Sequence, residues 1–287
     1  MHLLNCTIVA LGGAAVPKTY MFVDGAYLDG CVSDFCKRWF GGQQYELDYR
    51  TLSGSCEKVF CYDAMPLQRK EEPDDKFKLR EVVKLTFFDR LRALRGWHVH
   101  LGISKRHKGG VAQQKEVDVL LAVDMLTHTH RKNMDSVIFV AGDQDFRPLL
   151  DAVVRDGMYV TLYYDKSSTS ADLINMADAR QEFDYFTMMQ MFPAHVRTAH
   201  PVPDRSTHHG IYLGVGTLLE EGFRDGQDQA QLWLTLGGDS ATHQVAMYDK
   251  AAHNTHVYNL KGNPELLKQA FMEYFGDFEW KPLKKTA

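Results

Sequence analysis

Residues 137–150 constrain the fold more than any other stretch of this chain. The apolar, β-branched run at 137–140 ends near Gly142, and Asp143 and Asp145 follow before a second apolar segment begins. In parallel α/β sheets, ligands bind outside the carboxyl ends of the strands. Two neighbouring carboxylates repel each other and gain little from burial, so this pattern favours a cation placed between them and an anionic ligand.

Short apolar runs alternate with helical patterns over roughly residues 18–190. The predicted strands are at residues 20–23, 58–62, 97–103, 137–141 and 159–164, and the predicted helices are at residues 74–95, 115–131, 146–155 and 171–180. This alternation predicts βαβ units, and therefore an α/β fold with a central parallel sheet flanked by helices.

The longest helical pattern covers residues 74–95, and Gly96 provides its stop. Its apolar residues recur at steps of four, four, four and three, which is the helical period. These residues are Leu79, Val83, Phe87, Leu91 and Leu94.

The C-terminal third of the chain has a different character. Residues 193–209 contain three prolines and four histidines with little apolar periodicity, which predicts a linker. Residues 210–287 resume strand-like runs and end in a helical pattern, which predicts a small α+β domain. The first domain is then expected at residues 1–192.

Composition narrows the class of protein. The formal net charge of -4 argues against a generally basic nucleic-acid-binding surface and leaves room for a local basic patch. The five cysteines, without a secretory signal, favour free thiols in a reducing cytosol, with zinc bound by the two Cys-x4-Cys pairs as the alternative. The apolar run at residues 3–16 is too short to span a membrane and lacks a positive start. We expect a cytoplasmic protein with no membrane partner.

Four acidic residues are predicted to share one edge of the sheet. Asp24, Asp143 and Asp145 follow predicted strands, and Asp118 lies in the first turn of a predicted helix that starts at the same edge. Four carboxylates in one cleft repel one another, and a hard divalent cation such as Mg²⁺ or Mn²⁺ relieves this repulsion. Such an ion can activate and orient a water molecule and stabilise charge on a phosphoryl oxygen.

Each acid also has a structural interpretation. Asp24 can form a turn, and Asp143 can cap the helix that follows it. Asp124 is a further metal-binding candidate, but six residues after Asp118 it lies about 240° around the helix, so a supporting or capping interaction is the alternative. Strand-end position and spacing together favour the shared cation.

Three segments resemble the signatures of the NYN domain and follow its order: FVDGAYL at residues 22–28, KEVDVLLAVDML at residues 115–126 and AGDQDFRPLL at residues 141–150. More narrowly, these segments and FCYDA at residues 60–64 are similar to the LabA-like (DUF88) branch of the PIN-like nuclease superfamily. The resemblance covers about residues 18–190.

This resemblance implies a PIN-like fold and hydrolysis of phosphodiester bonds, most often of RNA, by a metal-dependent endoribonuclease. It implies that Asp24, Asp118, Asp143 and Asp145 form the catalytic, metal-binding set for Mg²⁺ or Mn²⁺. Tyr27 departs from the pattern, because many members have Asn there. The alternative is a non-catalytic regulatory protein that keeps the fold and binds RNA or a protein. Single-stranded DNA is a further substrate candidate, since metal-assisted hydrolysis does not require the 2′-hydroxyl.

Basic residues near the acidic set are candidates for contacts with a phosphate backbone. They are Lys105, Arg106 and Lys108 in the loop before the acidic helix, Lys115 at its start, and Arg147 after the acidic pair. The alternatives are a solvated loop and, for Arg147, pairing with an acid. The C-terminal domain is expected to provide substrate selection, homodimer contacts or a protein partner.

Overall fold

The computed structural model describes residues 17–102, 105–106, 112–113, 115–212, 214, 216–224, 228–235 and 241–283, and gives the backbone alone at residues 105, 106, 112, 113, 115, 228, 229 and 235. The described residues form two compact units. One unit contains residues 17–183 and 190–193, and the other contains residues 184–189 and 194–283. Within these ranges no helix is both long and apolar enough to cross a membrane.

The first unit is built on a six-stranded parallel sheet with strand order β3-β2-β1-β6-β7-β8. Strands β4 and β5 pair separately as a short antiparallel ladder. The strands are β1 (Thr19–Asp24), β2 (Lys58–Ala64), β3 (Trp97–Gly102), β4 (Lys105–Arg106), β5 (Ala112–Gln113), β6 (Ser136–Val140), β7 (Tyr159–Tyr164) and β8 (Ala179–Glu182). The predicted α/β fold with a central parallel sheet is confirmed.

Helices flank this sheet. They are α1 (Gly25–Trp39), α2 (Tyr49–Ser53), α3 (Asp74–Arg92), α4 (Lys115–His130), α5 (Arg147–Arg155) and α6 (Ala171–Met176). Strand β1 is buried at four consecutive residues, as expected of a parallel strand that is covered on both faces. Phe22 of β1 belongs to a core cluster with Leu121 and Met125 of α4 and Phe139 of β6, and all four are fully buried.

The chain changes direction across the sheet at β1. It runs from β1 to β2 and β3 on one side, and returns through α4 to β6 on the other side. Strands β1 and β6 are neighbours, with Val23 paired to Val140. Asp24 and residues 141–143 therefore leave the sheet side by side, at the switch point where ligands of open α/β sheets bind.

Helix α3 confirms the predicted helix, but its regularly spaced apolar residues do not all face the sheet. Leu79 and Val83 are exposed, whereas Phe88 and Leu91 are buried. A row of residues spaced by four drifts about 40° per step around a helix, so Leu91 lies about 120° from Leu79. The apolar row therefore winds from the solvent face to the sheet.

One predicted helix ends early. Residues 171–180 were expected to be helical, but α6 ends at Met176 and residues 179–182 pair with β7 as the edge strand β8. The side chain of Asp178 accepts a hydrogen bond from the backbone N–H of Val160 at 2.8 Å. This contact fixes the chain at the sheet edge, where strand pairing prevails over local helix propensity.

The second unit contains a six-stranded antiparallel sheet with strand order β14-β10-β11-β12-β13-β9. Its elements are α7 (Tyr185–Met191, whose last two residues belong to the first unit), α8 (Ala194–Ala199), β9 (Asp204–His209), β10 (Thr217–Arg224), β11 (Asp228–Thr235), β12 (Thr242–Asp249), β13 (Asn254–Lys261), α9 (Pro264–Phe275) and β14 (Glu279–Pro282). Helix α9 packs on β12 and β13. The predicted small α+β region is confirmed.

The stretch predicted to be a linker contains regular structure. Residues 194–199 form α8, and residues 204–209 pair with β13 as β9. Pro193 precedes α8, and Pro201 and Pro203 lie between α8 and β9, so the prolines border these elements without interrupting them. The domain boundaries at residues 192 and 210 stay a prediction.

Candidate functional site

Asp24 ends β1 and begins α1. Its carboxylate accepts a hydrogen bond from the backbone N–H of Tyr27 at 3.1 Å, which is the interaction of a helix N-cap. Burial raises the pKa of Asp24 to about 6; the Tyr27 N–H lowers this pKa, and the negative charges of Asp118 and Asp63 raise it. Asp24 therefore caps α1 and also lies in the electric field of Asp118.

Asp118 connects the predicted acids electrostatically. It lies in the first turn of α4, and burial raises its pKa, with a further rise from the charges of Asp143 and Asp145. Asp143 follows β6, and its carboxylate accepts the N–H of Asp145 at 2.9 Å, which caps a short 3-10 turn. The structure therefore brings Asp24, Asp118, Asp143 and Asp145 to the same edge of the sheet. These four residues are called the acidic cluster below.

The acidic cluster is loose. In the described part of the chain, no three histidine, cysteine, aspartate or glutamate side chains are close enough together to hold a metal ion. The donor chemistry nevertheless fits a hard divalent cation, because carboxylate oxygens are the ligands that Mg²⁺ prefers. Burial is the main cause of the raised pKa values of Asp24 and Asp118, and repulsion between the acids adds to it; a cation would offset that repulsion.

Asp124 makes a supporting contact. Its carboxylate accepts a hydrogen bond from the hydroxyl of Tyr62 at 3.0 Å. Tyr62 is fully buried in β2 and stacks on His100, with ring centroids 5.0 Å apart. Burial raises the pKa of Tyr62, and the charge of Asp124 raises it further, so the hydroxyl stays protonated and donates. Asp124 therefore connects α4 to β2. This is a supporting interaction, the alternative to metal binding that the sequence analysis gave for Asp124.

Tyr27, which departs from the motif, is a packing residue. Its hydroxyl accepts a hydrogen bond from the N–H of Asp165 at 2.6 Å and lies 2.8 Å from the hydroxyl of Thr169. A Cβ atom at position 142 would come within 2.2 Å of the Tyr27 ring, so this close approach requires Gly142. Burial raises the pKa of Tyr27, which keeps its hydroxyl protonated. The ring therefore packs against the backbone at position 142, and its hydroxyl is held at the other end.

Sequence reasoning missed the structural role of Asp63, which lies near the end of β2. The Asp63 side chain is almost completely buried, and its Oδ2 lies 2.7 Å from Lys84 Nζ in α3. Lys84 also donates to Asp29 of α1 at 2.6 Å. Oδ2 of Asp63 has no hydrogen bond of good geometry among the described residues, so its attraction to Lys84 is chiefly Coulombic. The strand-end position was a signal, but the partner on α3 was not predictable from spacing.

The predicted phosphate-contacting residues are only partly described. Lys108 lies outside the described residues. Lys105 and Arg106 form β4, where a loop was expected, and Lys115 begins α4, but only the backbone is described for these three. Arg147 begins α5, and its Nη1 lies 3.7 Å from the carboxylate of Asp172, so it pairs with an acid.

The six-stranded parallel sheet flanked by helices is the architecture of a PIN-like α/β protein. Residues 18–183 match the NYN domain, and this match covers more than half of the 287 residues. The protein therefore belongs to the NYN domain family, which is nuclease-like at the level of the superfamily.

Solved structures give weaker likenesses. A protein of unknown function from Vibrio parahaemolyticus is 22% identical, over 61% of this chain and 98% of that one, with a TM-score of 0.44. An oxidoreductase from Sinorhizobium meliloti is 12% identical, over 83% of this chain and 63% of that one, with a TM-score of 0.26. A dehydrogenase from Clostridium difficile is 10% identical, over 94% of this chain and 84% of that one, with a TM-score of 0.25. Values this low do not establish a shared fold. No curated protein matches the chain.

Proposed function

We propose that this protein is a cytoplasmic, Mg²⁺- or Mn²⁺-dependent endoribonuclease of the LabA-like (DUF88) branch. The observation that carries this proposal is the electrostatic coupling of Asp118 to Asp24 on one side and to Asp143 and Asp145 on the other. Besides burial, the charges of Asp143 and Asp145 raise the pKa of Asp118, and the charge of Asp118 raises that of Asp24. Such a gathering of acids at a switch-point edge is costly for folding, and a bound cation accounts for it. RNA is the proposed substrate because of the family, and single-stranded DNA is the other candidate.

The chain's own residues would hold the cation and position its surroundings. Asp24, Asp118, Asp143 and Asp145 would supply carboxylate oxygens. The N–H of Tyr27 orients the carboxylate of Asp24, and the N–H of Asp145 orients that of Asp143. When bound, a divalent ion lowers the pKa of a coordinated water and stabilises negative charge on a phosphoryl oxygen.

Substrate would approach along basic residues. Lys105, Arg106, Lys108 and Lys115 precede or begin the helix that carries Asp118, so they are proposed to contact phosphates of the backbone. Arg147 is proposed to exchange its exposed contact with Asp172 for a phosphate, since exposed ion pairs contribute little to stability.

The test is a cleavage panel with labelled single-stranded RNA, structured RNA and single-stranded DNA, with Mn²⁺, with Mg²⁺ and with a chelator. We expect metal-dependent cleavage of RNA, and a loss of at least about 100-fold in Asp143→Asn, because even the supporting partners of metal ligands are typically worth 10–100-fold. The matched control is Asp151→Asn, which removes an acid of α5 that pairs with Arg155. The control should cleave like the wild type.

A second candidate is a non-catalytic protein that binds RNA or a protein partner. The packing of Tyr27 favours it, because the residue that departs from the motif is held by Asp165 and Thr169 beside the acidic edge. Wild-type protein that cleaves neither RNA nor DNA with any metal would overturn the nuclease and favour this candidate. The C-terminal unit would then be the proposed partner-binding region.

A further inference from the structure

The solvent face of α3 carries an apolar stripe. The exposed fractions are 65% for Leu79, 57% for Val82 and 62% for Val83. Thr86 is also exposed, and its hydroxyl donates to the carbonyl of Val82 at 2.8 Å, so this polar group is already bound within the helix. Leu79, Val82, Val83 and Thr86 are called the α3 stripe below. Exposed apolar groups in a continuous row mark an interaction surface.

The α3 stripe is symmetrical along the helix. Its centre lies between Val82 and Val83, and at 3.6 residues per turn its side chains point within about 50° of one direction. Asp75 and Arg90 point within the same range and lie at equal distances on opposite sides of the centre. One end of this face is therefore acidic and the other basic.

We propose that the α3 stripe is the contact surface of a two-fold homodimer, in which the α3 helices of two copies pack antiparallel. A two-fold interface uses the same surface on both copies. With the axis at the centre of the stripe, the apolar side chains cover one another, and Asp75 faces the partner's Arg90 at each end. Opposite charges at equal distances from the centre pair with each other when two copies of the helix lie antiparallel. Binding of an unrelated partner would not require this symmetry, so we infer that the partner is a second copy of the chain.

The surroundings of the stripe allow this contact. Leu79 and Val83 border a groove of about 820 Å³ that is also lined by Tyr45, Pro66 and Phe87, so partner side chains can extend beyond the helix pair. Such an extension matters because specific interfaces bury at least about 1,000 Å².

Arg90 is available for the partner. It lies 2.7 Å from Glu46, but both side chains are more than half exposed. The guanidinium group has five N–H donors, so it can keep this contact and still donate to a carboxylate of the partner.

The first test measures the mass of the full chain in solution by sedimentation or light scattering. We expect a dimer for the wild type and a rise of at least about 100-fold in the dissociation constant for Val83→Asp, since the dimer would bury this charge twice. The matched control is Val119→Asp, because Val119 of α4 is also 62% exposed. This control should stay dimeric. Circular dichroism should show native helix content in both variants.

The second test reverses one charge at a time. Asp75→Arg and Arg90→Asp each place like charges at both ends of the antiparallel pair, so each variant should dimerise more weakly than the wild type. An equimolar mixture should recover wild-type affinity, because each copy supplies the charge that the other lacks. Monomeric wild-type protein well above micromolar concentration, a dimer that Val83→Asp leaves intact, or a mixture no tighter than its components would overturn the proposal.

Discussion

The surroundings of Asp24 have opposing effects on the pKa of its carboxyl group. Burial and the negative charges of Asp118 and Asp63 favour its neutral form, whereas the N–H of Tyr27 favours its charged form. The resulting pKa is about 6. At neutral pH the folded protein therefore carries an ionised carboxylate, the form that binds a metal, at a cost in stability. The strand-end position of Asp24 was readable from the sequence, but this cost depends on neighbours from other strands and helices and was not.

Replacing Asp24 by Asn should stabilise the metal-free protein. The pKa of Asp24 is raised from 3.8 to about 6, so its contribution to stability is full below pH 3.8 and is lost as the pH rises through about 6. Asn cannot ionise and still caps a helix, so above that pH the free energy of unfolding should increase by about 2–3 kcal/mol. Below about pH 4 the difference should vanish. Urea unfolding across this range measures it.

The control for Asp24→Asn is Asp34→Asn, which changes an exposed acid of α1 that pairs with Lys37. The stability of this control should differ little from that of the wild type at any pH. Added Mn²⁺ should stabilise the wild type more than Asp24→Asn. An Asp24→Asn protein that unfolds more easily than the wild type above the pKa would contradict this account of the site.

At the scale of elements, the spacing of apolar residues along the chain predicted most of the parallel sheet and the helices that run between its strands. It did not give the direction in which α3 faces, because a row spaced by four winds around a helix of 19 residues. It also missed α1, although Leu28, Cys31, Phe35 and Trp39 are buried at steps of three, four and four. Local pattern identifies an element, whereas its partners are set by contacts between residues far apart in sequence.

Besides its buried apolar residues, α3 is joined to the sheet by an ion pair between Lys84 and the buried Asp63. Burial lowers the pKa of Lys84, but Asp29 and Asp63 outweigh this effect and hold it above its usual value. Lys84→Met should lower the free energy of unfolding by about 3–5 kcal/mol near neutral pH, because it leaves the buried Asp63 without a cation. Urea unfolding measures this loss.

The same variant should show a defined pH dependence. The pKa of Asp63 is raised by burial and lowered by Lys84, so losing the lysine raises it further. Lys84→Met should therefore recover stability as the pH falls, and Lys84→Met with Asp63→Asn should recover much of it at neutral pH. A Lys84→Met protein as stable as the wild type at neutral pH would show that this ion pair does not help to hold α3.

At the scale of the whole molecule, the described residues divide into two compact units. In the second unit, Phe271 of α9 is fully buried and contacts Tyr258 and Phe278, with ring centroids 5.4 and 5.5 Å away. The sequence predicted this α+β unit from its strand-like runs. It did not predict β9, because prolines on either side of α8 made the region resemble a linker.

Truncation of Phe271 should loosen the second unit alone. Phe271→Ala removes a buried ring and should cost about 3–5 kcal/mol. Hydrogen exchange of backbone amides should accelerate in β10 to β13 and stay unchanged in β1 and β6. The control on the same helix is Tyr274→Ala, because Tyr274 is 63% exposed. Equal acceleration in both sheets would show that the chain unfolds as a single cooperative unit.

The contact between Tyr27 and Gly142 links the evolutionary history of two positions. While the ring lies against the backbone at 142, no residue with a Cβ atom fits there. A smaller residue at 27 would lift that restriction, and would release the N–H of Asp165 and the hydroxyl of Thr169 at the same time. The order of substitutions then matters: a change at 27 must come before a change at 142. The acidic edge of this protein can therefore diversify along only one of the two mutational routes.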